Sequence, residues 1–284
     1  MNRDTNCVPT LVSVVVPVFN GMPYLADLVA SLTAQTYEDL EIVFSEGGGT
    51  DGSLDYLKTL TDQRIRIIEQ PLGTSAALNW TKATQAGSGE FIKLVCQDDL
   101  LAPDAIEKQV KDLEQHPQAV MAIAQRDIVD AKGKLLYPKR GCQKLEAGAI
   151  QGITALETAY LQGTNVLGEP LAVLFRKAPL LAAMPWNDEN PLVLDLACYE
   201  KVAPQGEIVV RKESIGAFRV STSSWSTRLA NEQLAQFERW QHEYSQTHEV
   251  TKSQAKQAKR NVRIQTILRR GAYSWLRLKG NFKS

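Results

Sequence analysis

The sequence is poor in the residues that build metal centres and disulfide scaffolds. Its 284 residues include four cysteines and three histidines, and no two cysteines form a CxxC pair. A structural zinc site is therefore not expected, and free thiols fit a reducing compartment. Residues 1–10 also contain no apolar signal segment, so we expect a cytoplasmic protein.

Long apolar runs and a net charge are also missing. No run reaches the roughly 20 residues of a membrane-spanning helix, and 32 basic residues balance 32 acidic ones. The balance is uneven, because residues 251–284 hold ten Lys or Arg and no acid. Subtracting these ten leaves 22 basic against 32 acidic residues in the first 250. The sequence thus predicts an acidic body with a basic tail.

Strands and helices are predicted to alternate through the first 115 residues. Apolar runs typical of buried strands lie at residues 11–16, 41–45, 64–68 and 91–95, and helical patterns follow each of them. This order is typical of a doubly wound, mostly parallel α/β sheet. Ligands of such sheets bind at the carboxyl ends of the strands.

Two adjacent carboxylates follow the fourth predicted strand, in the segment Cys96-Gln97-Asp98-Asp99. Carboxylates at a strand end are costly to bury unless a cation accompanies them. Mg²⁺ or Mn²⁺ suits a pair of hard oxygen ligands. The alternative is that Asp98 caps a turn and Asp99 is solvated.

A glycine-rich loop follows the second predicted strand, with the sequence EGGGTDGS at residues 46–53. Consecutive glycines let the backbone approach a ligand and expose amide donors. Glu46 is placed to accept a hydrogen bond from a nucleobase or ribose, and Asp51 or Ser53 is expected to cap the next helix. The loop is neither GxGxxG nor a Walker A motif, which argues against dinucleotide oxidoreductases and P-loop NTPases.

Four segments in this order resemble the inverting family 2 glycosyltransferases, which have the GT-A fold. They are VSVVVPVFNG, QTYEDLEIVFSEGGGTDGS, LGTSAALNWTKATQAGSGEFIKLVCQDDLLAP and, more weakly, GEPLAVLFRK, at residues 12–21, 35–53, 72–103 and 168–177. The resemblance implies transfer of a sugar, with inversion, from a nucleotide-sugar donor. A UDP-sugar is the favoured donor, and Mg²⁺ or Mn²⁺ is the implied cofactor.

The resemblance also implies roles for individual residues. The implied donor-binding residues are Pro17, Phe19, Asn20, Glu46, Asp51, Gly73, Asn79, Asp98 and Arg219, and the implied metal ligands are Asp98 and Asp99. Gly47 and Cys96 stand where many members have Asp, and Ser221 stands where related enzymes have His. Asn79 could instead serve as a local cap, and Arg219 could pair with a surface carboxylate rather than with a phosphate.

The second half contains a candidate catalytic base. Asp195 lies inside the otherwise apolar run PLVLDLACYEKV, where a carboxylate must be functional or paired. Burial there would raise its pKa towards that of a useful base, and the resemblance implies a base at the start of a helix in this region. Asp188 and Glu189 are competitors, and a structural salt bridge to Lys201 or an arginine is the alternative role for Asp195.

The predicted organisation has three parts. Residues 1–115 form a nucleotide-sugar-binding half, residues 116–225 an acceptor-binding half of the same domain, and residues 226–284 C-terminal helices with a basic amphipathic tail. Within the second part, residues 150–160 are predicted to be helical, and residues 207–211 and 215–220 to be paired strands.

Apolar and basic residues are interleaved in the tail, which is the composition of a helix lying in an anionic membrane interface. Nucleic-acid contact and an oligomerising or solvated helix are the alternatives, and the acidic body argues against nucleic acid. A lipid-linked or polysaccharide-precursor acceptor would agree with the membrane interpretation. We therefore expect a peripheral protein at the inner face of the membrane, acting in cell-envelope polysaccharide synthesis.

Two other functions compete with sugar transfer. A non-catalytic nucleotide-sugar-binding or scaffold relative is suggested by Gly47, Cys96 and Ser221, which all depart from the pattern towards fewer polar ligands. A nucleotidyltransferase is disfavoured, because residues 16–24 (VPVFNGMPY) contain no basic residue to hold the triphosphate.

Overall fold

The computed structural model describes residues 10–222, 224–229 and 231–279. The strands are β1 (Val12–Val18), β2 (Leu40–Glu46), β3 (Ile65–Glu69), β4 (Phe91–Leu94), β5 (Leu100–Leu101), β6 (Ala119–Val129), β7 (Leu135–Arg140), β8 (Gly148–Gln151), β9 (Val173–Arg176) and β10 (Glu207–Arg219). The helices are α1 (Leu25–Thr33), α2 (Ser53–Lys58), α3 (Ala76–Ala86), α4 (Ala105–Gln115), α5 (Gly152–Gln162), α6 (Lys177–Ala182), α7 (Leu194–Val202), α8 (Trp225–Arg228), α9 (Gln233–Thr247) and α10 (Lys252–Leu278). Short 3-10 turns at Pro170–Ala172, Pro191–Val193 and Ala203–Gln205 precede β9, α7 and β10.

One sheet runs through the described chain in the order β3-β2-β1-β4-β9-β6-β10-β5, with β7 on β6 and β8 on β10. The strands β1 to β4 are parallel. Beyond β4 the sheet is mixed, because β9 is antiparallel to β4 and β6 while β10 is parallel to β6. The α/β class is therefore confirmed, and the parallel arrangement is concentrated in the N-terminal half.

The central strand β1 is covered on both faces, which is why its sequence is an unbroken apolar run. Val14 and Val16 belong to the cluster that contains Leu28 of α1. Val15 points to the opposite cluster, which contains Ala83 of α3. Each aliphatic side chain buried here stabilises the fold by roughly 1.5–3 kcal/mol. The ends of β1, β2 and β4 are therefore anchored in a well-packed hydrophobic core.

The predicted pair of strands at residues 207–211 and 215–220 is wrong. These residues form the single strand β10, which is parallel to β6 and antiparallel to β5 and β8. The register of β10 on β6 shifts between Arg211 and Ser214 and again between Ser214 and Ala217. Such irregularities accommodate extra residues without ending the strand. The polar residues in the middle of β10 therefore look like a turn in the sequence, although the strand continues through them.

Two element boundaries also differ from the prediction. β1, predicted at residues 11–16, begins at Val12 and continues through Pro17 and Val18. Ile150 lies in β8, so that α5 begins at Gly152. β1 tolerates Pro17 because the proline stands near the end of the strand, where the ladder of amide donors stops.

The C-terminal helix α10 starts with a capping box, in which Thr251 and Gln254 exchange side-chain and backbone hydrogen bonds. It packs on the end of α5, where the side-chain amide of Asn261 donates to the carbonyl oxygen of Leu161 at 2.7 Å. Among the described residues, no helix is both long and apolar enough to cross a membrane.

Candidate active site

The loop after β1 is tied to the residues that follow β4. The Phe19 amide donates to Oε1 of Gln97 at 2.8 Å, and Nε2 of Gln97 donates back to the Phe19 carbonyl at 3.0 Å. The predicted donor residue Asn20 takes a left-handed φ of 51°, and its Oδ1 accepts from the Thr50 amide at 2.8 Å. The Phe19 ring remains 52% exposed and is free to meet a ligand.

The glycine-rich loop uses two of its amide donors internally. Glu46 is buried, its Oε2 accepting from the Gly48 amide at 2.9 Å and its Oε1 from the Gly49 amide at 2.7 Å. A Cβ at Gly49 would lie 2.8 Å from the Asn20 nitrogen, so only glycine fits there. The expectation that these amides are free for a ligand is therefore wrong for Gly48 and Gly49, and the contact of Glu46 with a base stays a prediction.

Asp51 links the glycine-rich loop to the turn before α1. Its Oδ2 accepts from the Met22 amide at 2.8 Å, and its Oδ1 accepts from the Ser53 amide at 3.0 Å and from the Ser53 hydroxyl at 2.6 Å. Burial alone would raise the pKa of Asp51, but these hydrogen bonds hold it below its ordinary value. The carboxylate is thus ionised and fixes the first turn of α2.

Asn79 and Gly73 lie on the segment that covers the strand ends. The Nδ2 of Asn79 donates to the Val18 carbonyl at 3.1 Å, while its Oδ1 is buried and has no hydrogen-bond partner in the described part of the chain. Capping of α3 falls to Ser75 instead, whose hydroxyl accepts from the Leu78 amide at 3.2 Å. Gly73 adopts a φ of +87° in open space. Their binding roles stay predictions.

Asp98 and Asp99 stand at the carboxyl end of β4 but differ in access. Asp98 is partly exposed, and its Oδ2 accepts from the Ser224 hydroxyl at 3.2 Å. Asp99 is fully buried, with Oδ1 accepting from the Arg219 amide at 3.3 Å and Oδ2 without a hydrogen-bond partner among the described residues. Burial raises the pKa of both carboxyls, and the charge of Asp98 raises that of Asp99 further.

Arg219 is buried and its guanidinium is already engaged. Nε donates to the Asp98 carbonyl at 3.0 Å, Nη1 to the Ala131 carbonyl at 3.1 Å, and Nη2 pairs with Asp27 at 2.9 Å. The guanidinium also lies 4.7 Å from the centre of the Tyr24 ring. Arg219 therefore holds the segment that carries Asp98 in place, and a contact with phosphate stays a prediction.

Asp195 lies in the first turn of α7, at the start of a helix as expected, and its role as a base stays a prediction. Its Oδ1 accepts from the Leu196 amide at 2.7 Å, and its Oδ2 accepts from the Asn165 side chain at 2.8 Å. Burial, followed by the charge of Glu169, raises the pKa of Asp195 from 3.8 to about 7. Asp188 and Glu189, the competing bases, lie exposed in the preceding loop.

The charges of four carboxylates act on the Cys96 side chain. Burial comes first among the causes that raise the pKa of this thiol, and the charges of Asp99, Asp98, Asp195 and Glu169 follow. The thiol is therefore neutral in the middle of an acidic centre. Glu169, which pairs with Arg126 of β6, is the member of this group that sequence reasoning missed.

Gln97, Ser224 and Asn165 were also missed. Gln97 stands inside the quoted motif, but nothing in its position indicated a contact with the β1 loop. Ser224 follows the Ser221 position and binds Asp98 across 126 residues of sequence. Asn165 precedes a tight turn, which was a usable signal for local hydrogen bonding but not for its contact with Asp195.

A model of the family "Glycosyl transferase family 2" matches residues 13–167, which is more than half of the chain. The chain belongs to glycosyl transferase family 2. This membership confirms the resemblance seen in the sequence, and the matched segment includes β1, the glycine-rich loop and the Asp98-Asp99 pair. Asp195 lies beyond it.

Individual relatives match more locally. Glycosyltransferase GlyG of Streptococcus pneumoniae serotype 4 is 31% identical over 107 residues, which cover 37% of this chain and 36% of GlyG. EpsE of Bacillus subtilis strain 168 is 28% identical over 159 residues, or 55% of either protein. The chain thus spans between a third and just over half of the length of these curated relatives.

Solved structures extend the likeness of the fold to most of the chain. Staphylococcus aureus TarS 1–349 matches with a TM-score of 0.66 and 15% identity, over 89% of this chain and 70% of TarS 1–349. The mannosyltransferase PcManGT of Pyrobaculum calidifontis matches with a TM-score of 0.60 and 14% identity, over 98% of this chain and 83% of PcManGT. At these identities the likeness establishes the GT-A fold alone.

Proposed function

We propose that this family 2 member transfers a sugar, with inversion, from a UDP-sugar to a hydroxyl group of a lipid-linked or polysaccharide-precursor acceptor. The observation that carries the proposal is Asp195, a partly buried carboxylate in the first turn of α7, with a pKa raised to about 7 and a charge that acts on Cys96 together with those of Asp98 and Asp99. TarS has been solved with UDP and with UDP-GlcNAc, which supports a uridine nucleotide for this fold. PcManGT was solved with GDP-Man and Mn²⁺, so GDP is the control nucleotide.

The proposal gives each of these side chains a role. Asp195 accepts the proton of the acceptor hydroxyl as the oxygen attacks the anomeric carbon of the sugar. A base whose pKa lies near the working pH is suited to this step, and inversion needs no covalent nucleophile. Phe19 and Glu46 contact the nucleoside, and Asp98, the accessible member of its pair, contacts the ribose.

The Asp98-Asp99 pair fits a divalent cation. Its two carboxylates have raised pKa values, and no described residue forms a hydrogen bond with Oδ2 of Asp99. The described residues contain no cluster of three His, Cys, Asp or Glu that could enclose a metal. A set of two carboxylates completed by substrate phosphates is the usual arrangement for Mg²⁺. When bound, the ion neutralises charge that develops on the diphosphate leaving group.

A titration of the purified protein with UDP, with and without Mn²⁺, tests the donor site. Binding that depends on Mn²⁺ and is lost in Asp98→Ala supports the site, whereas metal-independent binding would remove the metal role. Asp195→Asn should keep UDP affinity and lose transfer, while Asp188→Asn, a matched change in the exposed loop, should keep both. Full transfer activity in Asp195→Asn would overturn its role as base.

The peripheral membrane role rests on the faces of α10. Its buried residues form one stripe, made of Ala258, Val262, Thr266 and Leu276. Counted at 100° per residue, the exposed apolar side chains lie about 200° away on the opposite face; they are Ile264, Ile267, Leu268, Trp275 and Leu278. Lys256, Arg263 and Arg270 lie along one flank of the exposed apolar stripe, and α10 contains no Asp or Glu.

An apolar stripe with a basic flank suits an anionic bilayer surface better than it suits water. Co-sedimentation with vesicles of phosphatidylglycerol and of phosphatidylcholine tests the proposal. We expect binding to the anionic vesicles only, and its loss in Ile267→Ser/Leu268→Ser. A stable dimer in solution that disappears in the same variant, without vesicle binding, would instead make this face a contact between two copies.

A non-catalytic relative is the second candidate. It is favoured by the internal use of the Gly48 and Gly49 amides and by the absence of an acidic side chain at Gly47. Under this alternative the protein binds UDP or a UDP-sugar but releases no UDP from the sugar. Turnover of any member of a UDP-sugar panel, lost in Asp195→Asn, would exclude it.

A further inference from the structure

The side chain of Asn165 uses its full hydrogen-bonding capacity in the turn between α5 and β9. Its Oδ1 accepts from the amides of Leu167 and Gly168, both at 3.1 Å. Its Nδ2 donates to the Gly168 carbonyl at 2.9 Å and to Oδ2 of Asp195 at 2.8 Å. The two backbone amides fix which end of the Asn165 side chain is oxygen, so the end facing Asp195 must be the donor.

Both oxygens of Asp195 are therefore held by donors from two different elements. Oδ1 is bound by the amide of Leu196 in its own helix, and Oδ2 by Asn165, which lies 30 residues away in sequence. Hydrogen bonds from neutral donors favour the ionised carboxylate and restrict its rotation. The outward lone pairs of the carboxylate remain available to a proton from an acceptor.

The turn that carries Asn165 is itself held by the C-terminal helix. A Cβ at Gly163 would lie 2.4 Å from the Val262 nitrogen, so α10 rests directly on this glycine. Nη2 of Arg269 donates to the Thr164 hydroxyl at 3.1 Å. A continuous series of contacts thus leads from α10 through Thr164 and Asn165 to Asp195.

We propose that Asn165 is a positioning residue for the Asp195 carboxylate and that α10 holds the turn from which Asn165 acts. The proposal rests on the proposed function, because it assumes that Asp195 receives the proton of the acceptor. Under this proposal α10 supports the reaction centre in addition to its proposed contact with a membrane surface.

Several charged and titratable groups act on Asp195 beside Asn165. Glu169, on the segment after the turn, raises its pKa, and Arg126 of β6 lowers it. Asp195 in turn raises the pKa of Cys96 after β4 and of Tyr199 on its own helix. Tyr199 is fully buried, and its hydroxyl has no hydrogen-bond partner within the part of the chain that the structure describes. An experiment on Asn165 must therefore leave these groups unchanged.

The first test measures where Asp195 titrates. In protein labelled with ¹³C at the aspartate carboxyl carbons, the signal missing from Asp195→Asn identifies Asp195. Asn165→Ala removes a hydrogen bond to the ionised form, so we expect the midpoint to rise by roughly one pH unit. Asn187→Ala, which removes an exposed asparagine with a similar local contact, should leave it unchanged. An unmoved midpoint in Asn165→Ala would overturn the proposal.

The second test measures the reaction as UDP release from whichever UDP-sugar the wild type turns over. Misplacement of the base predicts that Asn165→Ala lowers kcat about 100-fold while KM for the donor and the affinity for UDP stay within twofold. A loss of UDP affinity that accounts for the loss of rate would contradict a positioning role. If the wild type turns over no UDP-sugar, the proposed function fails while the titration still decides the contact.

A further variant covers the case in which Asn165→Ala does not fold. Asn165→Asp/Asp195→Asn exchanges donor and acceptor across the same contact, so it should be more stable than the sum of the two single changes predicts. It should remain inactive, because the base is gone. Thr164→Val, which loses only the hydrogen bond from Arg269, should lower kcat several-fold with unchanged UDP affinity. A wild-type kcat in this variant would show that α10 does not help to position Asp195.

Discussion

Replacing Asp195 with asparagine should stabilise the protein while it abolishes sugar transfer. Burial and the charge of Glu169 raise the pKa of Asp195 from its ordinary 3.8 to about 7. At high pH the folded protein therefore holds an ionised carboxylate in a place that disfavours its charge. The difference of about three pH units corresponds to a cost of about 4 kcal/mol.

The sign of the effect depends on pH. A carboxyl whose pKa is raised on folding costs nothing below its unfolded value; the cost grows between pH 3.8 and 7 and stays constant above. Asparagine removes this cost, but it cannot accept from both Leu196 and Asn165, and the lost hydrogen bond costs about 1 kcal/mol. The net stabilisation is about 3 kcal/mol at pH 8 and under about 1 kcal/mol at pH 5.

Calorimetric unfolding at the two pH values measures this difference. For 284 residues the entropy of unfolding is about 0.6 kcal/mol per kelvin, so Asp195→Asn should raise Tm by about 5 °C at pH 8 and by about 1 °C at pH 5. Asp188→Asn, in the exposed loop, should shift Tm by less than about 1 °C at either pH. A Tm at pH 8 at or below that of the wild type, or a shift independent of pH, would refute the account of Asp195.

Three further changes test other parts of the structure. In chemical denaturation, Gly48→Ala should lower the free energy of unfolding by well over about 2 kcal/mol, because φ is +81° and the new Cβ would lie 2.7 Å from Leu72 Cα. Gly73→Ala, at φ +87° in open space, should lower it by only about 1–2 kcal/mol. Arg219→Gln should cost about 2–4 kcal/mol in the same assay and weaken UDP binding through Asp98, because the carbonyls of Asp98 and Ala131 lose a buried donor and the exposed Asp27 loses its partner. Unchanged stability would contradict the contacts described. The Lys93 ammonium is fully buried, which lowers its pKa to about 7. The unfolding free energy of the wild type should therefore rise by about 2 kcal/mol relative to Lys93→Met between pH 7 and 9, and a constant difference would exclude the lowered pKa.

The first half of the fold could be predicted because its signals are local. Apolar runs such as residues 12–16 mark strands buried on both faces, and the polar residues that follow them mark the edge where ligands bind. What these polar residues bind is decided by their neighbours in space. The glycines after Glu46 suggested free amides, but a buried carboxylate needs donors, and Gly48 and Gly49 are the nearest ones.

In the second half of the chain, the sequence identified Asp195 as a candidate but identified few of the residues around it. A carboxylate inside an apolar run is conspicuous in any sequence, so burial and a raised pKa could be predicted. Asn165 and Glu169 act on it across a separation of at least 26 residues, and no periodic pattern records such a contact. The irregular strand β10 was mistaken for two strands for a related reason, because a bulge and a turn use similar polar residues.

One departure from the family pattern, at Cys96, can be explained by the acidic residues whose charges act on that position. Cys96 stands where many family members have an acidic side chain, and the charges of Asp98, Asp99, Glu169 and Asp195 already act on it, so that its raised pKa keeps it neutral. An aspartate in its place would add another acidic group to this environment, with a further electrostatic cost. The substitution therefore relieves repulsion without removing the accessible carboxylate of Asp98 or the proposed base Asp195. A scaffold that only bound a nucleotide would gain stability by neutralising Asp195 as well, so the retained carboxylate favours the proposed catalytic role over the scaffold.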